Sequence, residues 1–272
     1  MTPPPPMRSA RRLAWRDGAL SAGERVVPEE TAVAFTYNRI TQAVMMATPA
    51  DLEDFAFGFS LTEGIVAAPE EIEELRIVPT AHGIELRMDI ASRAGEVFIA
   101  RRRAAAGPTG CGLCGIDSLE QAMRAPKRVT GTGTFPPGSI MASLATLPAH
   151  QKLNRETRAV HAAAYWEPGL GLVALREDVG RHNALDKLVG ALARASMRAG
   201  QGLVVLTSRL SVELVQKAAA MNAPVLVGVS APTALALRSA EAANITLIGI
   251  ARDDGFEIFT HAERIETVKD VA

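Results

Sequence analysis

Cys111 and Cys114 are the only cysteines in the 272 residues of the chain. They stand in the stretch Thr109-Gly110-Cys111-Gly112-Leu113-Cys114-Gly115, a spacing that lets both thiols reach one point. Glycine loses more conformational freedom than any other residue on ordering, so so many glycines around the pair suit a loop that must bend or move. Downstream, Ile116 to Met123 reads as a helix start: Ser118 and Gln121 fit a capping box, and Asp117 and Glu120 add acid to the first turn. A thiol just before a helix N-terminus is favoured as thiolate, and Arg101-Arg102-Arg103 adds positive potential nearby. Three chemistries fit these residues. The pair is half of a zinc site, which needs two more ligands from histidines or a partner chain. A thioredoxin-like redox pair should follow a strand in a βαβ unit, whereas the basic, small-residue run Arg103 to Pro108 precedes this one. The third is a nucleophilic thiol on a mobile arm, carrying sulfur or another group. As a merely buried apolar pair the cysteines would need a core that their glycine and polar neighbours do not supply.

The elements that position this loop fall into two halves. Residues 1–22, proline-rich and basic, read as a disordered tail. Residues 23–135 read as a small α+β domain. In it, strand alternation from Thr31 to Met46 breaks at a turn of Asn38 and Arg39. A helix opening at Thr48-Pro49-Ala50-Asp51 carries Leu52, Phe55, Ala56, Phe59 and Leu61 at helical spacing. Strands are expected at Glu73–Pro79, Ile84–Ile90 and Glu96–Ala100. Residues 136–272 change pattern: a helix over Ser139–Asn154, two strands about the turn Glu167-Pro168-Gly169, and a helix from Arg181 to Ala199. Apolar strands at 203–206, 225–229 and 245–250 then alternate with helices at 212–221 and 233–243, and a short strand over 256–259 ends the series. Such alternation implies a largely parallel sheet covered by helices.

Ligands of such sheets gather beyond the carboxyl ends of the strands. Three helix starts should lie there: Asp178 to Asn183, with Arg181 and His182; Thr207 to Ser211, with Ser208 and Arg209; and Ser230 to Thr233. Free backbone N–H groups beside arginine suit a phosphate or pyrophosphate, and His161 and His182 could face the same crevice. Composition narrows the partners. Net charge is −1 and aromatic residues are 4% of the chain, so neither a basic field nor a stacking surface points to nucleic acid. No apolar run is long enough to cross a membrane, and two close cysteines fit a reducing cytoplasm better than a secretory disulfide framework.

The ordered set Val44–Val66, Gly110–Gly115, Val160–Ala164, Arg176–Gly190, Ser211–Ala219 and Val229–Ala236 resembles the FdhD family, the formate dehydrogenase accessory sulfurtransferases. The resemblance runs from about Val26 to His261. It implies a cytidine-deaminase-like three-layer C-terminal α/β domain with a mixed sheet, a smaller N-terminal α+β domain, and a homodimer. It further implies a sulfurtransferase that takes persulfide sulfur from a cysteine desulfurase. Such a carrier passes the sulfur to the molybdenum cofactor, as bis-(molybdopterin guanine dinucleotide), before insertion into formate dehydrogenase, and GDP should mimic part of that ligand. The persulfide position falls on Cys111 with Cys114 beside it, and the cofactor-contacting segment on Phe256, Glu257, Ile258, Phe259, Thr260 and His261. Deaminase chemistry is not implied: His161 is followed by Ala162 and Ala163 rather than by a H-x-E. Two other readings stand beside the carrier: a non-catalytic molybdenum-cofactor-binding chaperone, and a structural dimer bridged by zinc.

Overall fold

The computed structural model describes residues 2–91, 95 and 125–266. The segment holding Cys111 and Cys114 lies outside them, as do the strand expected at Glu96–Ala100 and the helix start Ile116–Met123.

A mixed α/β architecture is present. The chain opens with a correction to the expected tail: β1 (Met7–Arg16) pairs antiparallel with β2 (Ala19–Pro28) in a two-stranded ribbon. Asp17 and Gly18, with φ of 51° and 80°, make its two-residue turn. Asp-Gly is favoured there because both central residues of a type I′ turn need positive φ. Trp15 faces Leu20 across the ribbon, each 66% exposed.

A four-stranded sheet follows, in the order β4-β3-β6-β5, from β3 (Thr31–Tyr37), β4 (Ile40–Ala47), β5 (Ile72–Thr80) and β6 (Gly83–Ile90). Helix α1 (Leu52–Thr62) covers one face. Its apolar stripe meets the inward residues of β3: Phe35 stacks on Phe59 at 4.0 Å between ring centroids and meets Phe55 edge-on at 4.9 Å. The Tyr37 hydroxyl is bound to Ser60 Oγ at 2.8 Å in the same core.

The second sheet has six strands in the order β12-β11-β10-β9-β7-β8, from β7 (His161–Glu167), β8 (Gly171–Asp178), β9 (Leu203–Leu206), β10 (Val225–Gly228), β11 (Thr246–Arg252) and β12 (Gly255–Ile258). β9, β10 and β11 are mutually parallel; β7, β8 and β12 join antiparallel at the flanks. The sheet is therefore mixed, with parallel pairing confined to its centre. Helices α4 (Arg181–Arg194), α5 (Val212–Ala220) and α6 (Ala234–Ala243) lie on the face that carries Ala163, Tyr165, Val204, Leu206 and Leu226. Helix α2 (Pro137–His150) lies on the opposite face, against Ala164, Trp166, Leu203, Val205 and Val227. Strand period two sorts adjacent residues to opposite faces, and apolar residues at both sets of positions produce three layers. Residues ahead of α2 belong to this unit: Val129 N donates to Ala243 O at 2.8 Å, and Phe135 bridges to Ile265.

The helix expected over Ser139–Asn154 is two pieces. Gln151 leaves helical geometry, and α3 (Lys152–Thr157) starts afresh because the Glu177 carboxylate accepts the N–H groups of Leu153 and Asn154, each at 2.8 Å. Helix α4 stops at Arg194 rather than Ala199, where Ser196 turns left-handed at φ 54°.

Candidate functional site

Much of the stretch Arg176–Gly190 holds the two units together. Helix α1 crosses α4 at Gly58 and Gly190, so closely that a Cβ on Gly190 would overlap the Asp54 carbonyl oxygen and stand 2.8 Å from Gly58 N. Polar ties ring this crossing. Arg176 Nε and Arg194 Nη1 donate to the Asp54 carboxylate at 2.7 and 2.6 Å. Lys187, fully buried, places Nζ 2.6 Å from Asp178 Oδ2 and 2.8 Å from Thr48 O, and the same carboxylate oxygen accepts Thr48 N at 3.0 Å. Asp178 Oδ1 accepts from Gly180 N and Asn183 Nδ2. Lys217 donates to Asp186, Glu63 and Thr62 at 2.8 to 3.1 Å. Asp186 and Glu63 outweigh the desolvation that burial imposes on the Lys217 ammonium and hold its pKa above the ordinary lysine range.

What these ties leave over collects at the carboxyl ends of the central strands. The loop after β9 and the loop after β10 are joined there: Thr233 N donates to Leu210 O at 3.0 Å, and Leu210 bridges Pro232. The first turn of α4 meets the first turn of α5, where His182 Nε2 stands 3.9 Å from Glu213 Oε2. Thr207 Oγ1 accepts Ala162 N at 2.9 Å, which brings the start of β7, with His161, to the same place. The three helix starts expected to converge are thus neighbours. Arg181 and His182 lie half-buried within the cluster. Ser208 is buried, with its hydroxyl on Arg209 O, while the Arg209 side chain is exposed and Ser230 O accepts Ile250 N at 3.3 Å.

Burial, with Arg181 and Lys217 adding repulsion, lowers His182 to about 4, so its imidazole is neutral at ordinary pH. Burial and Arg181 also lower His161. Glu213 is held below the ordinary glutamate range: burial alone would raise it, and the Ser211 hydroxyl, its own backbone N–H and the neighbouring His182 and Arg181 more than offset that. Arg181 Nε and His182 Nε2 are buried with no hydrogen-bond partner among the described residues. Buried donors of this kind cost free energy unless something satisfies them.

The segment Phe256–His261 takes a different course. β12 lies antiparallel to β11 at the sheet edge, so the chain leaves the crevice end and runs toward the opposite end of the sheet. Glu257 and Ile258 are exposed. Thr260 Oγ1 is used by the fold, donating to Ile245 O at 2.7 Å and accepting Leu247 N at 2.9 Å. His261 binds Glu263 and Glu241 O, each at 3.0 Å. Phe259, 37% exposed, lines a shallow groove of about 500 Å³ with Leu237, Arg238, Glu241, Ala242 and Thr260. The Phe259 ring nevertheless reaches the loop after β10: its Cε2 and the Ser230 carbonyl lie 3.0 and 3.3 Å from where a Cβ on Gly249 would stand. Glu213 is the residue the sequence reading passed over. Its signal is an acid two residues beyond Ser211 in the first turn of a helix whose neighbour begins with Arg181-His182.

A mixed six-stranded sheet covered by helices on both faces packs through a glycine crossing on a four-stranded sheet with one covering helix. The chain belongs to the FdhD/NarQ family, whose model matches residues 28–266. It is 52% identical to the sulfur carrier protein FdhD of Agrobacterium fabrum over 259 residues, 95% of this chain and 96% of that one. The proteins of the same name from Brucella abortus and Cupriavidus necator are 54% and 48% identical, covering 95% and 96% of this chain and 96% and 91% of their own lengths. A solved structure described as a formate dehydrogenase accessory protein of Desulfotalea psychrophila shares the fold at a TM-score of 0.74 and 24% identity, over 96% of this chain and all of that one. Among the described residues no helix is long and apolar enough to cross a membrane.

Proposed function

We propose that this chain is a sulfur carrier in formate dehydrogenase maturation, with Cys111 as the persulfide-bearing thiol and Cys114 as its neighbour. The observation that carries the reading is that the two thiols of the chain stand together inside the span matched by the family model, and that relatives about half identical are named sulfur carriers. In the loading step the Cys111 thiolate attacks the terminal sulfur of a persulfide on a cysteine desulfurase. An S–S bond forms at Cys111, the donor's S–S bond breaks, and the donor thiolate leaves with the bonding pair. The transferred sulfur keeps its proton, so Cys111 ends as Cys111–S–SH. The cargo's destination is the molybdenum cofactor in its bis-(molybdopterin guanine dinucleotide) form, which is the carrier's substrate, before that cofactor enters formate dehydrogenase.

The described residues fit such a substrate in two places. The edge groove offers Phe259 for packing and the β12 backbone for hydrogen bonds. The crevice offers the unsatisfied donors of Arg181 and His182 and the first-turn N–H groups of α4 and α5, which favour negative charge. Intact-mass measurement after incubation with a cysteine desulfurase and cysteine tests the reading. One added sulfur atom is expected on the wild-type chain and none on Cys111→Ala, and the same variant should fail to activate formate dehydrogenase while melting like wild type. Full activation by Cys111→Ala, or stoichiometric zinc in place of sulfur, would refute it.

A further inference from the structure

We propose that the β1–β2 ribbon docks the client enzyme, formate dehydrogenase, by entering a cleft of that protein that has one apolar and one carboxylate-lined wall. The proposal rests on the carrier reading for the identity of the client; the chemistry of the cleft follows from the ribbon itself. The ribbon stands clear of the body. Every residue of β2 from Ala19 to Arg25 is exposed, and ten residues of strand carry the turn roughly 30 Å from the base. Its ties to the rest of the chain lie in the lower half, where Arg25 Nη2 donates to Thr157 O at 3.2 Å and Arg8 Nε stands 3.5 Å from the Glu29 carboxylate. The outer half holds the largest exposed apolar side chains of the molecule: Leu13 at 72% and Trp15 and Leu20 at 66% exceed every other large hydrophobic among the described residues. Directly opposed residues share a face of the ribbon and successive ones alternate. Trp15 with Leu20 and Leu13 with Ala22 therefore make one apolar face, and Arg12 and Arg16 lie on the other. Arg11, Arg12 and Arg16 make no ion pair among the described residues. Five arginines against Asp17 and Glu24 give residues 7–28 a net charge of +3; the whole chain carries −1, so the rest of it carries −4.

The two faces select the occupant. A lipid surface meets one face only, and burying Leu13, Trp15 and Leu20 in it would turn Arg12 and Arg16 away from the headgroups. A nucleic acid backbone would meet the arginines and leave the apolar face in water. A protein cleft covers both faces at once, with an apolar wall for Trp15 and its neighbours and carboxylates opposite Arg12 and Arg16. Trp and Arg are the side chains in which interface energy concentrates, and opposite charge across the contact steers encounter and fixes register. The choice of client follows from where the ribbon lies. The family model begins at residue 28, where the ribbon ends. On the carrier reading, accepting sulfur is the step the members share, and it belongs to the matched span. An element appended ahead of that span suits the partner whose surface differs from one member to the next, which is the client rather than the sulfur donor.

Biolayer interferometry of the full chain on immobilised apo-formate dehydrogenase, at low and high salt, tests the assignment on wild type and two variants. Leu13→Ser/Trp15→Ser/Leu20→Ser strips the apolar face, and Arg12→Glu/Arg16→Glu reverses the basic one. Each is expected to weaken binding at least tenfold, as truncation of central interface residues does. Wild-type affinity should fall with salt, and the arginine variant should lose most of that dependence. Both variants should melt within a few degrees of wild type and accept sulfur on Cys111 from a cysteine desulfurase at the wild-type rate, because the altered side chains are exposed. Wild-type binding and activation by either variant would overturn the proposal. So would loss of sulfur loading with client binding intact, which would make the donor the occupant. Ribbon-dependent binding to phosphatidylglycerol vesicles without any change toward formate dehydrogenase would overturn it in favour of a membrane, and no binding of wild type to the apoenzyme would overturn it outright. Ribbon-dependent client binding by a wild-type chain that never accepts sulfur would sink the carrier reading alone.

Discussion

Replacing Gly190 by alanine sets two physical effects against each other. Removing glycine from a helix interior should stabilise α4 by about 1 kcal/mol through propensity. The crossing opposes this, because the new Cβ would overlap the Asp54 carbonyl oxygen and stand 2.8 Å from Gly58 N, where ordinary contact is about 3.5 Å. The obstacle is backbone, so no rotamer relieves it, and α1 and α4 must part. Parting also stretches the bonds from Arg176 and Arg194 to Asp54, at 2.7 and 2.6 Å. Overpacking of this kind costs about 3 kcal/mol, which leaves a net destabilisation of about 2 kcal/mol. At roughly 2–4 °C per kcal/mol for large domains, the melting temperature should fall by about 4–8 °C. Gly138→Ala is the control: it sits at the start of α2 with nothing within 4 Å of its added carbon, and should be neutral or slightly stabilising. Thermal and urea unfolding of both variants decide the matter. If Gly190→Ala stabilises the chain as Gly138→Ala does, the close crossing is not what joins the units.

Lys187→Met should destabilise by about 3–5 kcal/mol, because it strands the buried Asp178 carboxylate. Urea unfolding checks this, and the double variant Lys187→Met/Asp178→Leu should recover much of the loss. His182 has a folded pKa of about 4 against an ordinary 6.5. Its contribution to stability is therefore complete above pH 6.5 and is lost as pH falls toward 4, a swing of roughly 2–3 kcal/mol once partial solvation is allowed for. His182→Gln should flatten the curve of unfolding free energy against pH over that window; identical slopes in variant and wild type would refute the assignment.

The elements that read clearly from the sequence are those in which local chemistry and burial agree. Asn38-Arg39 turns β3 into β4 with both residues at positive φ, and the apolar runs at 203–206 and 225–228 are fully buried strands. The ribbon was hidden because prolines and arginines outweighed the one informative pair, Asp17-Gly18. The break at Gln151 was hidden because its cause, the Glu177 carboxylate, lies more than twenty residues downstream. The same holds at the site. Arg181 and His182 could be named from a helix start, but that their nitrogens are buried beside Glu213 depends on how α4 and α5 pack. Glu213 reads as an ordinary first-turn acid until the fold sets it opposite them.

The ties across the α1–α4 crossing also bear on how the chain emerges from a ribosome. The polar face of α1 is complete early, yet Asp54 waits for Arg176 and Thr62 for Lys217, partners 122 and 155 residues further on. At translation rates of 5–20 residues per second that interval is roughly eight to thirty seconds for Thr62. Through it, the four-stranded unit stands with the outer face of its helix bare. A nascent chain of this family should therefore be most vulnerable to aggregation, and most in need of a holdase, between the emergence of α1 and that of α5.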